Sequence, residues 1–302
     1  MGAKIIGYRG IGNKERVIIS GHAFRKHKVH ELAPHHRRIH NLRQTVRRFR
    51  LHPMKRTKVE VQVGGQVKEV RTDKKGFFTV DFGIEGNSPG WYPYQLSWDH
   101  QGVQFEGEYC VADEEKTGVI SDIDDTLLVS HSTKFIKKFN LMLFRNAYNR
   151  KPIPMIKKWY HHIADFNNTL HPDDFYYVSN SEWNLYDFLN DFFELNQLPK
   201  GIFFLQHLKK GLRDLVSTGR IAGSHKLSTI RFLLRFFPHK KFILIGDNGQ
   251  KDMEIYSEIC RQHPDRIQGV MIRKLPYIHN DKRFINVKNL ITDLNIPFRH
   301  FH

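Results

Sequence analysis

From residue 118 onward, five short apolar runs recur at residues 118–123, 175–178, 202–205, 242–245 and 269–272. Stretches with helical spacing separate them, among them residues 183–193 and 227–236. An unalternating apolar run of four to eight residues suits a strand buried on both faces, as in a parallel sheet. Parallel neighbours need long crossovers, and the helical stretches supply them. The alternation therefore predicts an α/β domain, an open parallel sheet with helices on both faces. Ligands of such sheets bind at the carboxyl ends of the strands.

The first 115 residues read differently. Residues 17–19 (Val-Ile-Ile) form a short strand pattern. Val59, Val61 and Val63 share a face, Gly64-Gly65 makes a hairpin turn, and Val67 begins the return. A second turn, Asp73-Lys74-Lys75-Gly76, leads into residues 77–82. Leu96 and Trp98 precede a turn near Gln101-Gly102, followed by strand residues 103–109. This predicts a small antiparallel β-sandwich. The expected division is residues 1–115 and residues 116–302.

Charge is unevenly placed. The chain carries a net +17, and residues 1–58 hold 16 Lys and Arg against 2 Asp and Glu. Within them, residues 35–51 have a helical stripe of Ile39, Leu42, Val46 and Phe49, surrounded by Arg37, Arg38, Arg43, Arg47, Arg48 and Arg50. The stripe suits packing on the β-domain or insertion into a membrane interface. The basic segment is attracted to polyanions, either anionic membrane surfaces or nucleic acid. No apolar run reaches the ~18 residues a membrane span needs. The start lacks a signal-peptide pattern, and Ile6 stands where myristoylation favours Ser or Thr. A cytoplasmic protein is expected, peripheral to membranes if the basic segment engages them. Cys110 and Cys260 form neither a disulfide framework nor a metal-binding pair.

The chemistry gathers at the strand ends. The first run closes in Ser121-Asp122-Ile123-Asp124-Asp125-Thr126, the second in Ser179-Asn180-Ser181. Ser224-His225-Lys226 opens a helix, and the fourth run closes in Gly246-Asp247-Asn248-Gly249-Gln250-Lys251-Asp252. Carboxylate oxygens suit Mg²⁺, a hard ion that shares phosphate oxygens. A lysine and a hydroxyl suit the remaining phosphate oxygens. An aspartate can also attack phosphorus and carry the phosphoryl group.

This order of motifs resembles the haloacid-dehalogenase superfamily, whose sheet is Rossmann-like. The Asp-x-Asp-x-Thr motif matches at Asp122, Asp124 and Thr126, the strand-ending hydroxyl at Ser179, the lysine at Lys226, and the final acidic pair at Asp247 and Asp252. The wording around them is similar to the actin-patch-protein type of phosphatidate phosphatase, a lipin-like family. The similar segments are Ile120-Ser121-Asp122-Ile123-Asp124-Asp125-Thr126, Tyr177-Val178-Ser179-Asn180-Ser181-x-Trp183-Asn184-Leu185, His225-Lys226 and Ile245-Gly246-Asp247-x-Gly249-Gln250-x-Asp252. Three residues depart from that family's pattern: Glu182 for a Pro, Asn248 for a Ser and Met253 for a Pro. They bear on substrate preference, since none removes a catalytic group.

The resemblance implies roles. Asp122 attacks phosphate; Asp124 protonates the leaving alcohol and then activates water. Mg²⁺ is held by Asp122, the backbone carbonyl of Asp124, and Asp247. Ser179 and Lys226 position the phosphoryl group, Thr126 supports the same loop, and Asp252 orients Lys226 or a metal-bound water. The implied reaction is hydrolysis of phosphatidate to diacylglycerol. Residues 135–160, between the first two motifs, mix aromatic and basic side chains that suit acyl chains and a head group, or form an ordinary amphipathic helix over the sheet. Two other functions stay open: a phosphatase for a soluble ester or nucleic-acid end, and a non-catalytic lipid- or protein-binding module. The intact Asp122 and Asp124 pair speaks against the last.

Overall fold

The computed structural model describes residues 2–26, 52–98, 103–123, 170–179, 183–195, 197–205, 225–249, 251–275, 278 and 282–301. The expectations for the basic helix at 35–51, the segment 135–160, Asp124 and Thr126 lie outside these residues. Two compact units emerge. The first takes the described residues of Met1–Ala112 together with Asn184–Leu195. The second takes those of Asp113–Thr133, Lys151–Trp183 and Asn196–His302.

The first unit contains strands β1 (Gly2–Gly7), β2 (Gly10–Gly12), β3 (Arg16–Lys26), β4 (His52–Pro53), β5 (Lys58–Val63), β6 (Gln66–Arg71), β7 (Phe77–Gly83), β8 (Gly90–Trp98) and β9 (Val103–Val111). Alternation dictates their faces: Val59, Val61 and Val63 are at most 2% exposed, while Gln62 between them points to solvent. Burying each valine contributes about 1.5–3 kcal/mol. Asp73 builds the turn before β7, its Oδ1 accepting the amides of Lys75 and Phe77.

The sequence predicts two facing antiparallel layers. Instead the nine strands form one hydrogen-bonded mixed sheet, in which β2 and β9 run parallel. The reason lies in β3. Its eleven residues pair with β1 and β2 along one edge and with β4 and β7 along the other, joining what two layers would separate. Gln66 and Lys68 of β6 donate to the carbonyls of Gly83 and Asp81 on β7, so the sheet's outer strands approach one another. One core fills the interior, with Val17, Ile19, Val61, Phe78, Phe82 and Leu96 at its centre.

Helix α1 (Tyr186–Leu195) belongs to this first unit, although its position in sequence lies between strands of the second. Tyr186 fixes it: its hydroxyl accepts the Arg9 amide at 2.7 Å, and its ring lies 4.5 Å from that of Tyr8.

The second unit carries six parallel strands: β10 (Thr117–Asp122), β11 (Leu170–Val178), β12 (Gly201–Phe204), β13 (Phe242–Asp247), β14 (Ile267–Arg273) and β15 (Phe298–Phe301). Helices α2 (His225–Phe236), α3 (Asp252–Gln262) and α4 (Lys282–Asp293) accompany them. The spatial order is β12-β11-β10-β13-β14-β15. Strand order reverses between β10 and β13, and such a switch point opens a crevice at the carboxyl ends of those two strands. Both strands are buried at every residue, which accounts for their unbroken apolar character. Among the described residues, no helix is long and apolar enough to cross a membrane.

Candidate active site

Asp122 is the last residue of β10 and Asp247 the last of β13, so the two carboxylates stand on either side of the switch point. Both are fully buried. Gly246 just before Asp247 permits the next approach. A Cβ there would collide with the carboxylate of Asp252 and crowd the Tyr256 ring at 2.9 Å. Without it, Asp252 settles into the first turn of α3 and accepts the Asp247 amide at 3.3 Å. An acidic residue in a helix's first turn also sits well in the helix dipole. Tyr256, one turn on, donates to the Ile245 carbonyl at 2.7 Å. Burial, with Asp252, Asp122 and Asp247 adding to it, holds this phenol well above its usual range, so it stays neutral.

Lys226 arrives from the first turn of α2. His225 anchors that turn through a 3.0 Å hydrogen bond between Nε2 and the Phe204 carbonyl at the end of β12. The Lys226 ammonium then lies 2.9 Å from Asp122 Oδ1 and donates to Asp252. Burial by itself would lower this lysine. Asp122 and Asp252 outweigh it and hold the group above the ordinary lysine range, so it remains charged. Asp252 is pushed the other way from an ordinary ion-paired carboxylate. Burial raises it, Lys226 pulls it down, and Asp122 and Asp247 raise it further. Ser179 follows β11, is buried, and hangs its amide on the Phe204 carbonyl at 3.1 Å.

Five residues singled out in the sequence thus have described positions: Asp122, Ser179, Lys226, Asp247 and Asp252. Asp122, Lys226, Asp247 and Asp252 come together directly. Asp122, Asp247 and Asp252 each offer an oxygen within 4.8 Å of the others. Three buried carboxylates therefore face one ammonium. Buried charge of one sign is costly until it is compensated, and an oxygen-only donor set suits a hard divalent cation. The residues present fit Mg²⁺. Sequence reading missed what orients this set: the His225 ring, the Tyr256 hydroxyl and the Asn248 amide group. Their partners are backbone atoms distant in sequence, which no local pattern reveals.

The geometry defines an α/β protein with a carboxylate–lysine site at the switch point of a parallel sheet. The family model described as "Phosphatidate phosphatase APP1, catalytic domain" matches residues 117–274, more than half of the chain and all five of these side chains. The chain belongs to that family. It is 32% identical over 159 residues to phosphatidate phosphatase APP1 of Saccharomyces cerevisiae, covering 52% of this chain and 25% of that protein. It is 30% identical over 170 residues to an uncharacterized protein, C29B5.04c, of Schizosaccharomyces pombe, covering 56% of this chain and 27% of that one. The matched region thus spans about a quarter of the length of these relatives. A carbohydrate acetylesterase from Xanthomonas citri overlays on 96% of this chain and 65% of its own at 11% identity, with a TM-score of 0.34, too weak a likeness to carry any argument.

Proposed function

We propose that this chain is a Mg²⁺-dependent phosphatase that hydrolyses phosphatidate to diacylglycerol. The observation that carries the reading is the buried Asp122 carboxylate, paired at 2.9 Å with Lys226 and gathered with Asp247 and Asp252, within the part of the chain that matches the family.

In this reading an Asp122 oxygen attacks phosphorus, and the bond from phosphorus to the lipid alcohol breaks. Asp124 gives that oxygen its proton. Asp124 then takes a proton from water, whose oxygen attacks phosphorus and releases inorganic phosphate, regenerating Asp122. Lys226 supplies fixed positive charge, and Ser179 a hydroxyl, to the transferred group. Thr126 supports the loop, and Asp252 holds Lys226 in place. Asp122, Asp247 and the Asp124 carbonyl would hold Mg²⁺, which supplies further positive charge against the phosphate oxygens. Asp124 and Thr126 keep their roles from the motif alone.

We read the six-stranded sheet as a Rossmann-like, haloacid-dehalogenase-like domain of residues 116–302, preceded by a β-rich, basic domain of residues 1–115. The basic N-terminal segment would concentrate the protein at anionic cytoplasmic membrane surfaces, at ~1 kcal/mol for each well-placed Lys or Arg. Phosphate release from phosphatidate in liposomes, with Mg²⁺ and after EDTA, tests the reading. Soluble chromogenic esters, nucleotides and 3′-phosphorylated DNA run beside it. Mg²⁺-dependent release from the liposomes supports the lipid substrate. Turnover confined to nucleotides or DNA replaces it with the nucleic-acid reading, and no turnover of any ester leaves a binding module.

A further inference from the structure

Asn248 stands next to Asp247 and is fully buried, yet it faces no substrate in the reading above. Each of its backbone and side-chain oxygens is put to use. Its amide donates to the Arg273 carbonyl at the end of β14, at 3.1 Å. Its side-chain Oδ1 accepts the amide of buried Leu275 at 2.8 Å. Its carbonyl accepts Nη2 of Arg283, in the first turn of α4. Arg283 reaches on through Nη1 to Glu254 Oε1 at 3.1 Å, in the first turn of α3. The loop that leaves Asp247 is therefore fastened to β14, α3 and α4 at one residue. Asp247 is held from the other side too, since its Oδ1 accepts the Gly249 amide.

We propose that Asn248 is a positioning residue, a latch that holds the Asp247 carboxylate in the geometry needed to bind Mg²⁺, with Arg283 as its outer support. The inference rests on the reading of Asp247 as a Mg²⁺ ligand. The Leu275 amide is buried, and a buried donor left without its acceptor moves the backbone that carries it. The Asn248 side chain therefore ties the loop after Asp247 to the backbone beyond β14. Ligand orientation set by neighbouring hydrogen bonds commonly governs metal affinity by about 10- to 100-fold.

The test titrates Mg²⁺ into the whole chain by calorimetry, and follows thermal unfolding of the metal-free protein in parallel. Asn248→Ala is expected to lose about 10- to 100-fold in Mg²⁺ affinity at a temperature where it remains folded. Arg283→Gln, on a helix surface, is expected to shift affinity in the same direction by less. Asn248→Asp keeps an oxygen for the Leu275 amide and is expected to recover binding. A purely structural residue would lower the unfolding midpoint and leave the affinity of the folded protein unchanged. Native-like affinity in both Asn248→Ala and Arg283→Gln overturns the latch, as does an Asn248→Asp protein as weak as the alanine variant. If Asn248→Ala does not fold, Arg283→Gln decides. Failure of the unaltered chain to bind Mg²⁺ sinks the metal reading and the latch together, whereas binding by the unaltered chain with unmoved variants sinks the latch alone.

Discussion

The Lys226 ammonium, 2.9 Å from Asp122 Oδ1 and hydrogen-bonded to Asp252, links the end of β10 to the start of α3 in a site closed to solvent. One cation thus serves two carboxylates while a third, Asp247, stands beside them. This arrangement separates the effects expected from its individual members.

Lys226→Met removes the only ammonium of the set and leaves three buried carboxylates facing one another. Breaking a buried ion pair on one side costs about 3–5 kcal/mol. Loss of a fixed charge aimed at the reacting group lowers turnover by roughly 100- to 1,000-fold. Lys226→Arg should not restore activity, because a planar guanidinium does not fit a site shaped for a compact ammonium. Denaturant unfolding and steady-state assays check both; near-native turnover in the methionine variant would remove Lys226 from the chemistry.

Asp122→Asn behaves oppositely in stability. It deletes one of three buried carboxylates that share a single ammonium, at similar volume, so the metal-free protein should unfold no more easily than the native chain. Turnover should nevertheless vanish, since an amide is a far poorer nucleophile. A folded Asp122→Asn protein that still hydrolyses phosphate esters contradicts the nucleophile assignment.

Asp247→Ala should leave the fold intact and raise the Mg²⁺ concentration needed for half-maximal activity by tenfold or more, since a carboxylate ligand is lost from a site with few protein donors. Chelation with EDTA should abolish activity in the native protein, and re-added Mg²⁺ should restore it. Full activity after exhaustive chelation counts against any metal in the mechanism.

How far the sequence foretells this molecule depends on where each signal originates. The buried strands β10, β12 and β13 announce themselves because both faces are apolar. β15 does not: Phe298-Arg299-His300-Phe301 lies at the sheet edge, half exposed, and reads as ordinary tail. β11 starts earlier than its apolar run, because the ladder shifts register between Thr117–Leu170 and Val119–Phe175 across polar residues. In the first unit, glycine-rich β1 and β2 carry too few side chains to show a pattern, and the parallel β2–β9 pairing joins residues about a hundred positions apart. Asp122, Lys226, Asp247 and Asp252 are visible as motif letters with fixed spacing. Their supports are invisible for the opposite reason, since a ring nitrogen bonded to a distant carbonyl leaves no trace in residue order.

Neither cysteine should take part in chemistry. Cys260 has no exposed surface and its thiol is pushed up to about 12 by burial, while Cys110 is 4% exposed. The thiolate is the reactive form, so at pH 8 almost none is available at Cys260. Alkylation at pH 8 should leave both residues unmodified in the native protein and modify both after unfolding, as read by mass spectrometry. Rapid native modification of Cys260 would place it in an open, polar surrounding that this fold does not provide.

Lys240 offers the sharpest separation of stability from function. It precedes β13, at the amino ends of the strands, opposite the rim that carries Asp122 and Asp247. Its side chain is fully buried, and its three ammonium hydrogens meet three acceptors: Asp174 Oδ2 at 2.7 Å, the Asp113 carbonyl at 2.6 Å and the Lys116 carbonyl at 2.9 Å. The group thereby ties the approaches to β10 and β13 to β11 itself. Lys240→Met fills similar space but takes from the Asp174 carboxylate and two carbonyls the buried ammonium they share, at about 3–5 kcal/mol. For a unit of this size that corresponds to a fall of roughly 6–20 °C in melting midpoint. Adding Asp174→Leu removes the carboxylate that lost its ion-pair cation, and the double variant should regain part of the loss, because the cost of breaking such a pair comes largely from the partner charge. Turnover per folded molecule should stay near native in both variants, since no group at the opposite rim is touched. A midpoint lowered by less than about 2 °C in Lys240→Met would show that this buried pair is not a stabilising tie.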